Sequence, residues 1–568
     1  MKRRLQRFDE FALPCVLVLA LLLRVYLLFT VLEPIEGDEA VIGLMAQHIR
    51  YGARTLFDYD ISYHGPIESY LTAPLFALFG MNRFVLRVVP LVFSLAFVWA
   101  VYWLGNKLYD RKVGLCSALY AAIPPSMLTI WGLKAGAGYI VVLVLGAISL
   151  ALAADLQRRA SLAKTLVLLL ALAVGFWVQY VMGYYIAAIV LAIVSGKILR
   201  ANPVRSLIPN RSQSRHSERD EGSHPRSVET PSLRSGQAHR PAPSDDILKL
   251  PSLVNTLAVV LAVGVLLGAC HLLSLITQAP PLTDFLHSLV SLFTTAFPVL
   301  LGFLQPSVSN VLFSSQVTEK GAFYIFGVGF SIAACLAVLW ASAQRVREGD
   351  NLLLLFVAAT VVAFGAFFTI FHVPLELVQE PRYLLPLYSA IPLGILALLR
   401  MAQRPAWLWP ALLGGVLTLN LWSNLTIQPA LNLPYVHGKT LADYQALIGW
   451  LDAKNIRHVY ADYWIGYPLA FESRERIIPF IITHGDRVGW NRHPPYVAEV
   501  ERSPNPAYIF VEGSEDEGIF VGYLTSQNIK YKVESIAPYA IYWNLSSRVH
   551  FPLRLPASQS LSSQYGSG

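Results

Sequence analysis

Residues Glu33 to Tyr70 read EPIEGDEAVIGLMAQHIRYGARTLFDYDISYHGPIESY and directly follow the first long apolar segment of the chain. The acidic residues Glu36, Asp38 and Glu39 lie within four positions of one another near the start of this stretch. Acidic side chains just outside an apolar helix must be solvated, paired or used in function. By charge density alone, a solvated acidic loop and a functional site explain this stretch about equally well.

The composition is that of a membrane protein. Of the 568 residues, 55% are hydrophobic and only 14% are charged, and the mean hydropathy is +0.50. Soluble globular proteins carry more charge, and a run of about 20 apolar residues crosses a bilayer as a helix. The hydropathy therefore predicts a polytopic α-helical membrane protein with about eleven transmembrane helices. Their approximate spans are residues 12–32, 84–106, 114–132, 138–154 (short for a full span), 165–181, 183–199, 252–276, 322–342, 352–371, 383–400 and 406–425.

The basic residues predict how the chain crosses the membrane, because Lys and Arg concentrate in cytoplasmic loops. Four of them lie between Lys2 and Arg7, before the first span, which predicts a cytoplasmic N-terminus. Alternation of the spans then puts Asp38 and the chain beyond Leu425 on the extracytoplasmic side. We expect an integral protein of the bacterial inner membrane. Much of the net charge of +8 lies in the predicted inside loops, where it meets anionic lipid, so it does not indicate nucleic-acid binding.

Two regions differ in composition from the predicted membrane domain. Residues 200–250 are rich in Ser, Arg and Pro and poor in apolar residues, which predicts a disordered cytoplasmic insert. From about Tyr435 the pattern alternates short strands and helices, which predicts a small α/β domain of about 130 residues. We therefore divide the chain into a membrane domain, residues 1–432, and an extracytoplasmic α/β domain, residues 433–568. The predicted elements of the second domain are a helix at Leu441–Lys454 and strands at His458–Ala461, Ile477–Ile482, Ala507–Glu512 and Tyr539–Asn544.

Within the acidic stretch, the apolar residues between Val41 and Ile49 follow helical spacing. They predict a short amphipathic helix that lies along the outer membrane face. Asp38 or a neighbour would cap its start, and Gly52 would end it. The pair Gly65–Pro66 would prevent any helix from continuing into the second, half-buried segment.

These motifs, in this order, resemble membrane glycosyltransferases of the GT-C superfold, and most of all the protein O-mannosyltransferase-like family (glycosyltransferase family 39) and the lipid A aminoarabinose transferases. The pair Asp38–Glu39 is similar to the acidic signature in the first external loop of that family. The stretch Tyr63–Pro66, YHGP, resembles its Lys/His-Pro-Pro motif, but lacks the first proline. The stretch Arg382–Pro386 is similar to its Arg-Tyr-Leu-Leu-Pro motif. The resemblance covers residues 10–425, approximately.

The resemblance implies an inverting enzyme that moves a sugar from a polyprenyl-phosphate donor to an acceptor at the outer membrane face. This reaction needs a base for the acceptor hydroxyl, and positive charge or hydrogen bonds for the leaving phosphate. Asp38 would be the base, and Glu39 would either orient the acceptor or face water. Arg382 would bind the donor phosphate through its planar fork; its alternative role is that of an arginine that extends to the membrane interface.

Further side chains would hydrogen-bond the donor or the substrate, and the acceptor would be a glycan, a lipid or a protein. No cofactor is certain. A divalent metal stays open, because the implied acidic residues and histidine are suitable ligands without diagnostic spacing. The additional site candidates are Tyr63, His64 and Tyr383, and the weaker ones are Glu36, Arg83 and Lys134.

Two other classes of function are compatible with the sequence. A transporter or flippase of a lipid-linked substrate would show internal repeats and helices broken near the membrane midplane. The sequence shows no convincing repeat, and its acidic residues cluster at one face. A non-catalytic membrane scaffold would use the outer domain to bind a partner.

Overall fold

The chain folds into a helical membrane part and a C-terminal sheet domain. Part of the predicted organisation lies outside the described residues: the insert beyond residue 201, the spans at 252–276 and 322–342, and the predicted boundary at residue 432. The computed structural model describes residues 2–30, 35–136, 138–201, 300–301, 352–370, 381–394, 396, 407–425 and 441–553.

The membrane part confirms the predicted class of a polytopic helical membrane protein. Among the described residues, Phe11–Thr30, Arg83–Leu108 and Tyr139–Arg158 are long and apolar enough to cross a membrane, and one bent pair of helices adds a fourth candidate. The total of about eleven spans stays a prediction. The described helices are α1 (Lys2–Thr30), α2 (Gly37–Arg50), α3 (Ile67–Phe79), α4 (Arg83–Leu86), α5 (Val88–Leu108), α6 (Arg111–Ala122), α7 (Ser126–Leu133), α8 (Tyr139–Arg158), α9 (Leu162–Val178), α10 (Gly183–Ala201), α11 (Leu352–Ile370) and α12 (Leu408–Leu425).

At three of the predicted spans, the observed helices differ in length or shape from the prediction. The span predicted at 114–132 is broken into α6 and α7, which meet at 74°; Pro124 and Pro125 lie at the break, where proline supplies no N–H. The span predicted as short at 138–154 is α8, which has 20 residues. The segment that begins the predicted span at 383–400 is a 3-10 helix, Pro381–Ser389, with a proline inside it.

Helix α2 is buried rather than exposed along one face. It begins directly after Glu36, whose side chain makes no capping hydrogen bond, and its residues from Glu39 to Gln47 are buried. Asp38 and Glu39 lie in its first turn, where the helix dipole favours negative charge. Rather than leaving one polar face exposed, α2 packs against both α3 and a helix of the C-terminal domain, α14 (Tyr463–Glu472), and its position along the outer membrane face stays a prediction.

The C-terminal domain is a six-stranded mixed sheet flanked by helices. Its strands are β1 (His458–Ala461), β2 (Ile478–Thr483), β3 (Arg487–Val488), β4 (Ala507–Val511), β5 (Lys532–Ile536) and β6 (Tyr539–Trp543). They are arranged in the order β3-β2-β1-β4-β6-β5. Strands β2, β1 and β4 are parallel, and β3, β6 and β5 each pair antiparallel with their neighbours. The four predicted strands are confirmed to within one residue. Two strands were not predicted, because β3 has only two residues and β5 is mostly exposed. The remaining helices of the domain are α13 (Leu441–Ala453), α15 (Pro494–Arg502) and α16 (Glu515–Ser526).

Successive side chains of the central strands face two separate cores, as the period of a strand requires. Val459 and Ile509 face a core on the α13 side. Tyr460, on the opposite face, belongs to a core that also contains Val41 of α2 and Phe76 of α3. Helices α2 and α3 and the C-terminal domain therefore share one continuous hydrophobic core.

Two glycines of α2 allow this close packing. A Cβ atom at Gly37 would lie 2.6 Å from the ring of Tyr463, and one at Gly43 would overlap the ring of Phe471. Both rings belong to α14, so any larger residue at either position would push α14 away from α2.

Gly43→Ala is expected to lower the free energy of unfolding by about 1–3 kcal/mol, because the added Cβ displaces Phe471 within the shared core. Gly449→Ala is the matched control: Gly449 is an exposed glycine of α13 whose Cβ would meet nothing within 4 Å. The control gains about 0.5–1 kcal/mol from helix propensity alone. Thermal unfolding in detergent, followed by intrinsic fluorescence, measures both variants. Equal changes in Tm would contradict the close packing of α2 on α14.

Candidate active site

The predicted site residues come from three separate segments of the membrane part. Asp38 and Glu39 lie in the first turn of α2. His64 lies in the loop before α3, and its ring lies 6.2 Å from the ring of Tyr180. Tyr180 in turn lies 6.3 Å from Tyr383 of the 3-10 helix. The structure therefore joins the loop motif and the Arg-Tyr-Leu-Leu-Pro motif through one aromatic residue.

Asp38 has a partly exposed carboxylate that the C-terminal domain holds. The hydroxyl of Tyr463 donates to Asp38 Oδ1 at 2.6 Å. Arg492 Nη1 lies 3.5 Å from the same oxygen, and the Asp38 side chain is 41% exposed. Arg492 is almost fully buried and also donates to the backbone carbonyl of Tyr59 and to the Tyr463 hydroxyl, at 2.5 and 3.1 Å. The carboxylate is therefore fixed on one side and accessible on another.

Glu39 is buried in an ion pair. Arg87 donates from Nε to Glu39 Oε1 at 2.8 Å and from Nη2 to Oε2 at 2.6 Å, and both side chains are 1% exposed. The backbone N–H of Ala135 also donates to Oε1 at 3.2 Å. Such a bidentate pair fixes orientation as well as charge. The ion pair with Arg87 ties the first turn of α2 to the start of α5, and the hydrogen bond from Ala135 ties it to the loop before α8. The Glu39 side chain therefore does not face water.

Two cations lie over the same indole ring. Lys134 Nζ is 3.9 Å from the centroid of the Trp131 ring, and the guanidinium carbon of Arg382 is 5.8 Å from it. Lys134 also pairs with Glu36 at 2.6 Å, and each of these two side chains is only 12% exposed. Burial raises the pKa of Glu36, while the charge of Lys134 opposes the rise. Trp131 thus brings together one strong and one weak candidate from the sequence, Arg382 and Lys134.

His64 is a neutral imidazole at neutral pH. Burial, and then the charges of Arg492 and Arg382, lower its pKa to about 4. Its Nε2 lies 2.9 Å from the side-chain amide nitrogen of Gln179, which we assign as the donor. The proton then lies on Nδ1, which is 4.0 Å from Asp58 Oδ2. His64 therefore supplies no positive charge, and its one N–H donor is buried.

Two further buried carboxyl groups lie near the site. Burial raises the pKa of Asp58 to about 7 and that of Glu68 to about 8. Glu68 Oε2 accepts a hydrogen bond from the backbone N–H of Gly138 at 3.2 Å, just before α8. Because both groups bind protons near neutral pH, the region carries less negative charge than its sequence indicates.

The divalent metal that the sequence left open has no ready-made site among the residues that the structure describes. No three His, Cys, Asp or Glu side chains among them are arranged to hold a metal ion. Of the three ligands that the sequence offered, Glu39 has both oxygens on Arg87, and His64 has Nε2 on Gln179. Asp38 alone keeps an accessible carboxylate.

Sequence reasoning missed the residues that hold the Asp38 carboxylate. Tyr463 lies 425 positions from Asp38 in the chain, and no local spacing links the two. The one available signal was the run of Trp, Asn, Arg and His at 490–493, polar and aromatic residues between predicted elements. Of the weaker candidates, Lys134 lies at Trp131, whereas Arg83 lies 3.8 Å from Glu472 of α14 and over the ring of Phe84.

Comparison with known proteins gives a family match over part of the chain. Residues 63–209 match the sequence profile of the family described as dolichyl-phosphate-mannose-protein mannosyltransferase. This match confirms the resemblance to membrane glycosyltransferases of the GT-C superfold that the motifs indicated. No curated protein matches the sequence.

Solved structures of two kinds are similar to the chain at low identity. ArnT from Cupriavidus metallidurans in the apo state is 11% identical with a TM-score of 0.48, covering 95% of this chain and 98% of ArnT. The same protein bound to undecaprenyl phosphate is 12% identical, with the same TM-score and coverage. The Archaeoglobus fulgidus oligosaccharyltransferase tethered to an acceptor peptide is 12% identical with a TM-score of 0.47, covering 96% of this chain and 75% of that chain. At these sequence identities and TM-scores, the roles of residues in those structures are not carried over to this chain.

Glu39→Gln is expected to lower the free energy of unfolding by about 3–5 kcal/mol, because it leaves the buried Arg87 charge uncompensated. Asp38→Asn, at the neighbouring and partly exposed position, is the matched control and is expected to change stability by less than about 1 kcal/mol. The fraction that stays monodisperse after heating in detergent, read by size-exclusion chromatography, measures both. A Glu39→Gln protein as stable as Asp38→Asn would contradict the structural role of the pair.

Proposed function

We propose that the protein is an inverting glycosyltransferase that moves a sugar from a polyprenyl-phosphate donor to an acceptor hydroxyl at the extracytoplasmic face of the membrane. The observation that carries the proposal is the accessible, firmly held carboxylate of Asp38 in a site that also contains the cations Lys134 and Arg382. The match of residues 63–209 to a family named for a lipid-phosphate sugar donor supports the same class of donor.

Asp38 is the general base of the proposed reaction. Its carboxylate takes the proton of the acceptor hydroxyl while that oxygen attacks the anomeric carbon from the face opposite the phosphate. The bond from the anomeric carbon to the phosphate oxygen breaks, and polyprenyl phosphate leaves with the bonding electrons. A base must be held in a productive orientation to act well. The hydrogen bond from Tyr463 and the nearby charge of Arg492 hold Asp38 Oδ1, so the rest of the carboxylate can meet the hydroxyl.

Lys134 and Arg382 stabilise the charge that develops on the leaving phosphate. Cations fixed in a partly dry site stabilise such charge more strongly than water does. Trp131 holds both of them through its π-face. The raised pKa values of Asp58 and Glu68 favour the same arrangement, because a protonated carboxyl group does not repel the phosphate.

The neighbouring aromatic and imidazole groups bind the donor in this proposal. Tyr63 and Tyr383 offer their hydroxyl groups, and His64, whose Nδ1 is buried, packs against Tyr63 and Tyr180 and positions them. The Tyr63 ring lies 4.5 Å from His64 and 5.6 Å from Tyr180, so these donors form one wall. Glu39 acts only by fixing the first turn of α2. The transferred sugar is a hexose or a pentose.

Asp38→Asn is expected to reduce turnover by about a hundredfold to ten-thousandfold, because the amide keeps the shape but cannot accept the proton. The assay incubates membranes with a panel of polyprenyl-phosphate sugars and detects products by mass. Asp452→Asn, in the C-terminal domain at the end of α13, is the control, and is expected to leave turnover unchanged. Thermal stability and donor binding of Asp38→Asn are expected to stay near those of the unmodified protein.

Three outcomes would contradict this assignment. Turnover of Asp38→Asn within a few-fold of the unmodified protein would remove Asp38 as the base. Loss of donor binding together with turnover would give Asp38 a structural role. Absence of any transferred sugar with the unmodified protein across the donor panel would favour a transporter or a scaffold.

A further inference from the structure

The loop after β3 is held rigidly against strand β2. Asn491 Oδ1 accepts from the backbone N–H of Ile481 at 2.8 Å, and its Nδ2 donates to the carbonyls of Ile481 and Gly489 at 2.9 and 3.1 Å. A Cβ atom at Gly489 would lie 2.9 Å from the Ile481 side chain, so the loop lies close on the strand. The backbone N–H of Arg492 donates to the Tyr467 hydroxyl at 2.6 Å. The residues on both sides of Trp490, Gly489 and Asn491, are therefore fixed in position.

The Trp490 indole is fixed in orientation and yet 47% exposed. Its Nε1–H donates to Asp60 Oδ2 at 2.5 Å, across the boundary between the C-terminal domain and the loop that follows α2. Its ring is nearly parallel to Tyr463, at 16° and 5.9 Å, and the Arg492 guanidinium lies 4.5 Å from its centroid. A large aromatic surface that is both preorganised and exposed loses little entropy when a ligand binds to it.

The exposed indole adjoins the Asp38 carboxylate. Tyr463 links them, because its hydroxyl donates to Asp38 while its ring lies beside Trp490. Arg492 approaches both groups as well, at 3.5 Å from Asp38 Oδ1 and over the Trp490 ring. A ligand that rests on Trp490 therefore presents its edge to the proposed base.

The surroundings of Trp490 combine an aromatic surface with charged hydrogen-bonding groups. A pyranose ring has a face of C–H groups that packs on the negative face of an aromatic ring, and a rim of hydroxyls that bind carboxylate and guanidinium groups. Tryptophans at a membrane interface instead place an apolar ring among lipids. The exposed Asp60 and the partly exposed Asp38 near Trp490 offer carboxylates to those hydroxyls, whereas the buried Arg492 only holds the ring, and the two carboxylates favour the sugar over lipid as the occupant.

We propose that Trp490, whose ring is held in place by Asp60 and Arg492, forms an acceptor subsite that binds a sugar ring, so that the acceptor is a saccharide or a glycolipid rather than a protein side chain. The inference rests on the proposed function and specifies its acceptor. Trp490 binds the acceptor ring, and Asp38 receives the proton of a hydroxyl on that ring or on its neighbour.

Binding is tested without catalysis, on the full-length protein in nanodiscs that contain no sugar detergent. The probes are methyl glucopyranoside, methyl mannopyranoside and methyl galactopyranoside, and the readout is saturation-transfer NMR. At least one probe is expected to bind the unmodified protein. Trp490→Ala is expected to weaken that binding about tenfold, and Trp490→Phe, which keeps an aromatic ring, by less. Tyr531→Ala, which removes another exposed aromatic residue of the same domain, is the control and is expected to change nothing.

Transfer is measured separately, with the donor panel and the same glycosides in octyl form as acceptors. Trp490→Ala is expected to raise the acceptor KM about tenfold while the donor KM and kcat stay within a few-fold. If glycosides bind through Trp490 but no sugar is ever transferred, the subsite stands and the proposed transferase does not. If transfer occurs but neither binding nor acceptor KM depends on Trp490, the subsite is wrong. A Trp490→Ala protein that binds glycosides normally but is less stable in nanodiscs would make Trp490 a lipid contact instead, and overturn the inference.

Discussion

The close packing of α2 on α14 is the contact on which the candidate site depends. Gly37 and Gly43 lack the Cβ atoms that would hold the two helices apart. This approach brings Tyr463 within hydrogen-bonding distance of Asp38, and puts a shared hydrophobic core behind that bond. The C-terminal domain is therefore part of the site wall, and the free energy that stabilises the shared core also orients the carboxylate.

Three neighbouring acidic residues have three different environments, and the differences separate their roles. Glu39 is 1% exposed and bound on both oxygens by Arg87. Glu36 is 12% exposed and paired with Lys134, whereas Asp38 is 41% exposed. A carboxylate can accept a proton from an incoming hydroxyl only if the hydroxyl can reach it. Accessibility therefore favours Asp38, and burial gives the other two acidic residues the task of holding α2 and Lys134 in place.

The sequence predicted what depends on local pattern and missed what depends on distant contacts. Apolar runs and strand alternation are local, so the helical membrane part and four strands were recognised. The short β3 and the exposed β5 lack an alternating apolar pattern, so the sequence did not predict them. The burial of α2 and the roles of its acidic residues depend on partners 48, 98 and 425 positions away, namely Arg87, Lys134 and Tyr463. Helical spacing in α2 contains no information about those partners, and predicted only a short amphipathic helix along the outer membrane face.

The most direct test of this account is a double-mutant cycle between Asp38→Asn and Tyr463→Phe, read as turnover of a polyprenyl-phosphate sugar. Tyr463→Phe removes only the hydroxyl that donates to Asp38 Oδ1. We expect Tyr463→Phe to lower turnover about tenfold in the unmodified protein and to have no further effect in Asp38→Asn, because the charged acceptor of its hydrogen bond is already absent there. Equal effects of Tyr463→Phe in both backgrounds would contradict the claim that the C-terminal domain holds the catalytic base.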